Sequence, residues 1–169
     1  GLAGSEMCIR DRFKDMTNYD LSLMHFLFGA GAEMANELGI KTEAAHWNKL
    51  KSQLPDFDLD NEGSLTFAKG FPYNASHRHF SHALAIHPLG IIDWSDGEKA
   101  QRIIRATLKK MNDYGPDYWT GYTYSWFANM QARAFNGEEA AKALRTFAEC
   151  FCLKNTFHAN GDQLSLIHI

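Results

Sequence analysis

The sequence is poor in cysteine, in long apolar runs and in basic charge. Its three cysteines are Cys8, Cys150 and Cys152. Cys150 and Cys152 stand close together in a predicted helix, where their side chains point about 200° apart and cannot bridge each other. Cysteines placed in this way give no support to a disulfide framework.

The charge and hydropathy of the chain exclude two classes of partner. The net charge is −3 at pH 7 over 169 residues, and the sequence contains no basic block. This balance argues against a surface for nucleic acid or anionic membrane. No apolar run approaches the roughly 20 residues that a membrane-spanning helix requires. We therefore expect no nucleic-acid partner and no membrane partner.

Both ends of the chain resemble translated cloning sequence. EMCIRDR (Glu6–Arg12) and LSLIHI (Leu164–Ile169) are what two reverse-complementary DNA strings would encode, and both strings resemble the end of a transposase-based library adapter. Inverted copies are not expected at both ends of a natural gene. We therefore treat residues 1–12 and 164–169 as adapter-like artefacts and assign residues 13–163 to a partial domain. The native chain is then expected to be cut on both sides.

Between these ends the apolar residues recur with helical spacing almost throughout. Thr17 or Asn18 is a candidate N-cap for the first helix, and Ser95 for the fourth. Asp56–Tyr73 is rich in turn residues and contains one β-like stretch, Leu65–Ala68, so we expect a loop with a small hairpin. Helices are predicted over Tyr19–Leu38, Thr42–Leu54, Ser76 to about Ile86, Asp96–Asn112, Thr120 or Thr123 to Asn136, and Glu138–Cys152.

Consecutive helical hairpins of this kind predict an all-α fold. A solenoid of helix pairs would show a fixed repeat of about 34 to 47 residues, and none is visible. In an α/α toroid, long loops on one face build a pocket while short turns occupy the other. The short turn at Asn136-Gly137 alternates with long loops over Asp56–Tyr73 and Gly115–Gly121. This alternation favours a fragment of an (α/α)6 toroid.

The segment SHRHFSH (Ser76–His82) concentrates histidine and arginine in a short stretch. Its H-x-H-x-x-H spacing occurs in some binuclear zinc hydrolases, whose sites follow a strand and carry an Asp before the last histidine. Here Ser81 takes that place in a helical context, so we predict no metal. A second interpretation is structural, with Ser76 capping a helix whose apolar residues, Phe80 among them, belong to the core.

We favour a third interpretation, in which this segment is the sugar-binding start of a helix. On a helix, His79 and His82 share a face, and Arg78 and His82 share another. Neutral imidazoles and a guanidinium at a helix N-terminus offer directed donors to sugar hydroxyls. We predict that His77, Arg78, His79 and His82 bind substrate.

Aromatic residues accompany this segment in the loop and helix start that follow Asn112. The apolar faces of sugar rings stack on indole and phenol rings, which makes such a cluster suitable for a glycan. Core packing is the alternative for residues inside the helix, and we prefer it for Trp126. Trp119 and Tyr122 are predicted to line the pocket. The cluster comprises Tyr114, Tyr118, Trp119, Tyr122, Tyr124 and Trp126.

Two motifs resemble those of glycoside hydrolase family 95, the α-L-fucosidase and α-L-galactosidase family. HRHFSHALAIHPLG resembles its His-Arg-His-x-Ser-His-Leu-x-x-Leu-x-Pro-Gly stretch. TGYTYSWFANMQARAFNGEEA is similar to its Thr-Gly-Trp-Ser-x-Ala-Trp-x-x-Asn-x-x-Ala-Arg-Leu-x-Asp-Gly segment. The resemblance covers Asn18–Phe147 and implies a six-hairpin (α/α)6 toroid. The matching positions of the second motif are Thr120, Gly121, Trp126, Asn129, Ala132, Arg133 and Gly137.

The resemblance also implies where the catalytic groups belong. The family inverts configuration with a Glu as general acid and with an Asp supporting an Asn that activates water, which requires room for that water. The motif carrying the acid would precede Phe13, and the motif carrying the Asp would follow Gln163. Gly161-Asp162 does not stand in the family's order, so no catalytic residue is assigned, and the chain alone is expected to be inactive. Tyr122 stands where the family commonly has Trp, and GSLTFA (Gly63–Ala68) replaces its Gly-Gln-Leu-x-Glu-Trp segment. These departures imply a divergent substrate.

The resulting hypothesis is part of a glycoside hydrolase that cleaves terminal α-L-fucosyl or related sugars from an oligosaccharide or glycan, without a cofactor. Another six-hairpin carbohydrate enzyme (rhamnosidase-like, a phosphorylase or a lyase) stays open, as does a non-catalytic helical-repeat scaffold. Secretion or periplasmic export is implied by the resemblance alone.

Overall fold

A computed structural model describes residues 16–159, and these residues form an all-α fold, as predicted. No strand occurs in this range, where pairing is limited to isolated bridges such as Leu59–Leu65 and Ala68–Phe71 in the predicted hairpin region. The adapter-like ends, together with residues 13–15 and 160–163 of the predicted domain, lie outside the described range. The helices are α1 (Asn18–Glu37), α2 (Lys41–Ser52), α3 (Glu98–Tyr114), α4 (Gly121–Arg133) and α5 (Gly137–Phe151).

Helices α1 and α2 form the first helical hairpin. The Thr17 hydroxyl accepts a hydrogen bond from the Asp20 N–H at 3.1 Å, which confirms Thr17 as an N-cap. At the other end, Gly39 adopts a φ of 72°, a left-handed conformation that suits glycine and lets the chain turn into α2. The two helices approach closely because Gly31 has no side chain: a Cβ there would lie 2.9 Å from the Trp47 ring.

Helices α4 and α5 form the second helical hairpin, through the predicted turn. Helix α4 ends at Arg133 and α5 begins at Gly137, one residue before the predicted start. The side-chain amide of Asn136 donates to the side-chain oxygen of Gln131 at 3.0 Å and stabilises this turn. Two short-connected hairpins in one chain agree with a fragment of a helical toroid.

The predicted start of the fourth helix is wrong. Ser95 does not cap a helix but lies inside a 3₁₀ turn, Trp94–Asp96. The Asp93 carboxylate accepts the Ser95 N–H at 3.0 Å, and the Asp96 carboxylate accepts the Asp93 N–H at 2.8 Å. This reciprocal pair closes the short turn on itself. Gly97, with a φ of 95°, separates it from α3, which begins at Glu98.

The predicted helix from Ser76 to Ile86 is also wrong. Its only helical part is a single 3₁₀ turn, Ser81–Ala83, and the residues before it are irregular. Ser76 does not cap a helix, because its hydroxyl donates to the Gly115 carbonyl at 2.8 Å and accepts the Tyr118 N–H at 3.1 Å. Ser76 therefore forms hydrogen bonds with a loop distant in sequence and not with the first turn of a helix.

The core lies where α3, α4 and the segment around the 3₁₀ turn at residues 81–83 meet. Its largest enclosed side chains include Tyr73, Phe80 and Met111, at 1%, 0% and 0% exposure. Helix α1, by contrast, leaves apolar side chains in solvent: Leu23, Phe26, Leu27, Met34 and Leu38 are exposed. Among the helices of residues 16–159, none is both long enough and apolar enough to cross a membrane.

Candidate functional site

Three hydrogen bonds join the histidine-rich segment to the loop before α4. Ser76 makes the two described above, with Gly115 and Tyr118. The third is donated by the Thr123 hydroxyl, in the first turn of α4, to the Arg78 carbonyl at 2.6 Å. The segments Ser76–Arg78 and Gly115–Thr123 therefore lie side by side, although about 40 residues of chain separate them.

His77 and His79 are half-buried and lie beside each other at this junction. The His77 N–H donates to the Tyr73 hydroxyl at 3.1 Å, and the two imidazole centroids are 6.0 Å apart. The His77 Nδ1 lies 3.2 Å from the backbone N of His79 and 3.1 Å from its carbonyl oxygen. Either neutral tautomer of His77 therefore finds a backbone partner on His79.

His82 is enclosed by aromatic rings. It is 1% exposed, it stacks on Tyr73 at 4.9 Å, and the Phe67 ring lies 4.8 Å away. Burial, reinforced by the nearby His77, lowers the pKa of His82 to about 3, so this imidazole is neutral at physiological pH. Neither ring nitrogen has a hydrogen-bond partner within residues 16–159.

Two helical faces were predicted, one shared by His79 and His82 and the other by Arg78 and His82. Neither exists, because the segment is not a helix. The structure brings the histidines together by a different route. The centroid of the Phe67 ring lies 6.1 Å from that of His77 and 4.8 Å from that of His82. A ring from the preceding loop, rather than helical periodicity, therefore groups two of the three histidines.

Trp119 forms a wall next to these rings. It is half-buried and meets Phe80 edge-on at 5.4 Å and Phe127 at 4.8 Å. Burial raises the pKa of Tyr73, and the N–H of His77 and the nearby Trp119 indole oppose that shift. The indole Nε1 itself makes no hydrogen bond within residues 16–159.

Tyr122 is 55% exposed and lies in the first turn of α4. Its ring meets Trp126 edge-on at 5.9 Å, and the Trp126 indole N–H donates to the His87 carbonyl at 3.0 Å. Trp126 is accordingly a packing residue in the cluster around Phe80, as the sequence suggested, whereas the Tyr122 ring faces outward.

Two contributors to this arrangement were not identified from the sequence: Phe67 and Tyr73. Both lie in the predicted loop Asp56–Tyr73, and both pack on His82. The available signal was their aromatic character, since large apolar rings seldom occupy a loop that stays in solvent. It was not sufficient to indicate which histidine they would contact.

The histidines do not form a metal centre in the described part of the chain. Within residues 16–159, no group of three or more His, Cys, Asp or Glu side chains is arranged to hold an ion. A separate cleft of about 270 Å³ lies between α3 and the α4–α5 turn, with Arg105, Gln131 and Glu139 among its lining residues. None of the predicted site residues lines this cleft.

Comparison with known proteins identifies the family of the chain. The glycosyl hydrolase family 95 catalytic domain matches residues 9–165. Alpha-L-fucosidase 2 from Arabidopsis thaliana is 30% identical over 126 residues, which cover 72% of this chain and 14% of that protein. The chain therefore spans a small part of the length of this relative. Because the family match extends over nearly the whole sequence, the chain belongs to glycosyl hydrolase family 95.

Proposed function

We propose that this chain supplies the sugar-binding part of an inverting glycoside hydrolase that releases terminal α-L-fucosyl or related sugars from glycans. The observation that carries the proposal is the hydrogen-bonded junction of Ser76–Arg78 with Gly115–Thr123. It sets polar side chains of the histidine-rich segment beside an aromatic wall, which is the combination that sugar recognition uses.

The polar side of the site consists of His77, Arg78 and His79. Imidazole nitrogens and a guanidinium donate directed hydrogen bonds to hydroxyl groups. His77 and His79 are half-buried, with ring centroids 6.0 Å apart, so the two imidazoles are near enough to bond different hydroxyls of one sugar. His82, at 1% exposure, is a neutral ring that packs on Phe67 and Tyr73 behind these residues.

The apolar side of the site consists of Trp119 and Tyr122. Trp119 is held edge-on by Phe80, so its orientation is fixed before a sugar arrives. Tyr122 is 55% exposed and offers an accessible phenol ring. A fucosyl ring presents an apolar C–H face that stacks on such rings while its hydroxyls point to the histidines.

The chemical step requires two further groups on opposite faces of the sugar. An inverting enzyme uses an acid that protonates the leaving oxygen and a base that activates water, about 6.5–9.5 Å apart. We place both groups outside residues 13–163, in accordance with the positions of the family's motifs. In this proposal residues 13–163 contribute to sugar binding and not to the chemical step.

The test is a kinetic comparison in a longer protein that contains this chain together with the acid and base motifs. His79→Ala is expected to lower kcat/KM on an aryl α-L-fucoside by about 10- to 100-fold, as expected for one or two lost hydrogen bonds. The matched control is Asn136→Ala, which removes a side-chain hydrogen bond in the α4–α5 turn. Equal kcat/KM for wild type and His79→Ala would refute the role of this segment. Faster turnover of an aryl α-L-rhamnoside would assign the site to a different sugar.

A further inference from the structure

We propose that Asn18, outside the sugar site itself, is a positioning residue that holds His77 and His82 in place through the Phe67 ring. This inference rests on the proposed function, because it explains how the polar side of that sugar site is fixed. Asn18 is the first residue of α1 and is 1% exposed.

Both the nitrogen and the oxygen of the Asn18 side-chain amide form hydrogen bonds with the loop between α2 and the histidines. Its Nδ2 donates to the carbonyls of Asp58 and Thr66, each at 2.8 Å. Its Oδ1 accepts the Asp58 N–H at 3.0 Å, and its own backbone N–H donates to the Phe67 carbonyl at 3.1 Å. One residue thus ties both ends of the segment 58–67 to α1, over 40 or more positions of sequence.

This set of bonds is distinct from helix capping. The capping bond of α1 is made by Thr17, whose hydroxyl accepts the Asp20 N–H. The Asn18 amide bonds to the loop instead, so it is not required for the start of the helix. A buried amide whose two N–H groups and oxygen are all bonded has one favourable orientation, which makes it a precise clamp.

Phe67 connects the segment 58–67, which Asn18 holds, to the histidines of the site. Its carbonyl is bonded to Asn18, and its ring lies 4.8 Å from His82 and 6.1 Å from both His77 and Tyr73. His82 has no hydrogen bond from its ring nitrogens within the described residues, so the rings that surround it hold it. Displacement of Phe67 would therefore alter the positions of both histidines.

The experiment compares the 169-residue chain with its Asn18→Ala variant by NMR of the histidine ring C–H groups. We expect the His82 and His77 signals to shift, because the ring current of Phe67 acts at these distances. We also expect binding of methyl α-L-fucoside to weaken by roughly tenfold, the scale of one lost hydrogen bond. The control is Ser22→Ala, which removes a buried 2.6 Å bond to the Asn18 carbonyl without touching the loop. Its histidine signals should stay in place.

Unchanged histidine signals in Asn18→Ala, or equal shifts in Asn18→Ala and Ser22→Ala, would overturn the proposal. Should Asn18→Ala fail to fold, Asn18→Asp tests the same step, because it keeps the acceptor oxygen and removes only the N–H donors to Asp58 and Thr66. Unmoved His82 signals in Asn18→Asp would then contradict the inference. The histidine signals are read without sugar, so a failure of sugar binding alone would count against the proposed function and not against this clamp.

Discussion

The Thr123 hydroxyl donates a 2.6 Å hydrogen bond to the carbonyl of Arg78, 45 positions earlier in the sequence. The same oxygen accepts the Thr120 N–H at 3.1 Å, at the start of α4. Thr123 is 0% exposed, so no solvent replaces either bond. One hydroxyl thus connects the beginning of α4 to the histidine-rich segment.

Replacing this hydroxyl by a methyl group tests the connection. Thr123→Val is expected to lower the free energy of unfolding by about 1–3 kcal/mol, since it leaves the part-buried Arg78 carbonyl and Thr120 N–H without their partner. Sugar affinity should fall as well, because Arg78 loses its anchor. Urea unfolding and a fucoside titration measure the two effects. Thr146→Val is the control, since Thr146 bonds its own helix at an exposed position, and a comparable loss in that variant would contradict the assignment.

The buried imidazole of His82 predicts a specific pH dependence of stability. Its pKa is lowered to about 3 from 6.5, so between these values the unfolded chain binds a proton that the folded chain does not. The free energy of unfolding therefore falls as the pH falls below 6.5, by about 1.4 kcal/mol per pH unit from this group. At pH above 6.5 the group is neutral in both states and contributes no pH dependence.

His82→Phe removes this titration and keeps an aromatic ring among Phe67 and Tyr73. Between pH 7.5 and pH 5.0 the wild type should lose about 2 kcal/mol more than the variant, measured by urea unfolding at the two pH values. Burial also lowers the pKa of His25 and His87, but these groups are present in both proteins and cancel in the difference. An equal pH dependence of the two proteins would contradict this, because it would show that His82 binds a proton in the folded state as readily as in the unfolded state.

The same substitution is expected to affect stability differently at two neighbouring lysines of α3. Lys110 pairs with Asp60, and the two side chains are 14% and 12% exposed. Lys109 pairs with Asp113, where the corresponding values are 75% and 55%. Burial raises the pKa of Asp60, but the hydrogen bond from Lys110 and the N–H groups of Ser64 and Glu62 hold it below 3.8. The pairing with Lys110 therefore stabilises the protein at neutral pH and is lost as the carboxyl is protonated at pH below 3.8.

Lys110→Met leaves the Asp60 carboxylate without its cation in a nearly enclosed position. We expect the free energy of unfolding to fall by about 2–3 kcal/mol at pH 7, because an uncompensated charge stays buried. Lys109→Met should leave the urea midpoint unchanged within error, since exposed ion pairs contribute little. Equal midpoints for the two variants would show that the Lys110 pair is as weak as a surface pair.

The sequence predicted those elements whose bonds are local. Thr17 caps α1 through a residue three positions away, and the Asn136-Gly137 turn is closed by a bond to Gln131, five positions away. Patterns that depend on near neighbours carry their information in a short window. The hairpins and the all-α class follow from such patterns.

The histidine segment could not be predicted in this way because its bonds are distant. Ser76 has the character of an N-cap, but its hydroxyl finds Gly115 and Tyr118 instead, 39 and 42 positions away. Tertiary contacts of this kind override a local propensity. The residue types of the candidate site were predicted from the motif, whereas the grouping of His77 and His82 around Phe67 required the structure.

The most direct test of the account is an NMR titration of the 169-residue chain with methyl α-L-fucoside, following the Trp119 indole N–H and the ring C–H groups of His77 and His79. Methyl α-L-rhamnoside serves as the comparison sugar. We expect saturable shifts of these signals with the fucoside and unchanged signals from Arg105 and Gln131 in the separate cleft. Shifts confined to that cleft, or an absence of shifts at Trp119, His77 and His79 at high fucoside concentration, would contradict the assignment of this junction as the sugar site.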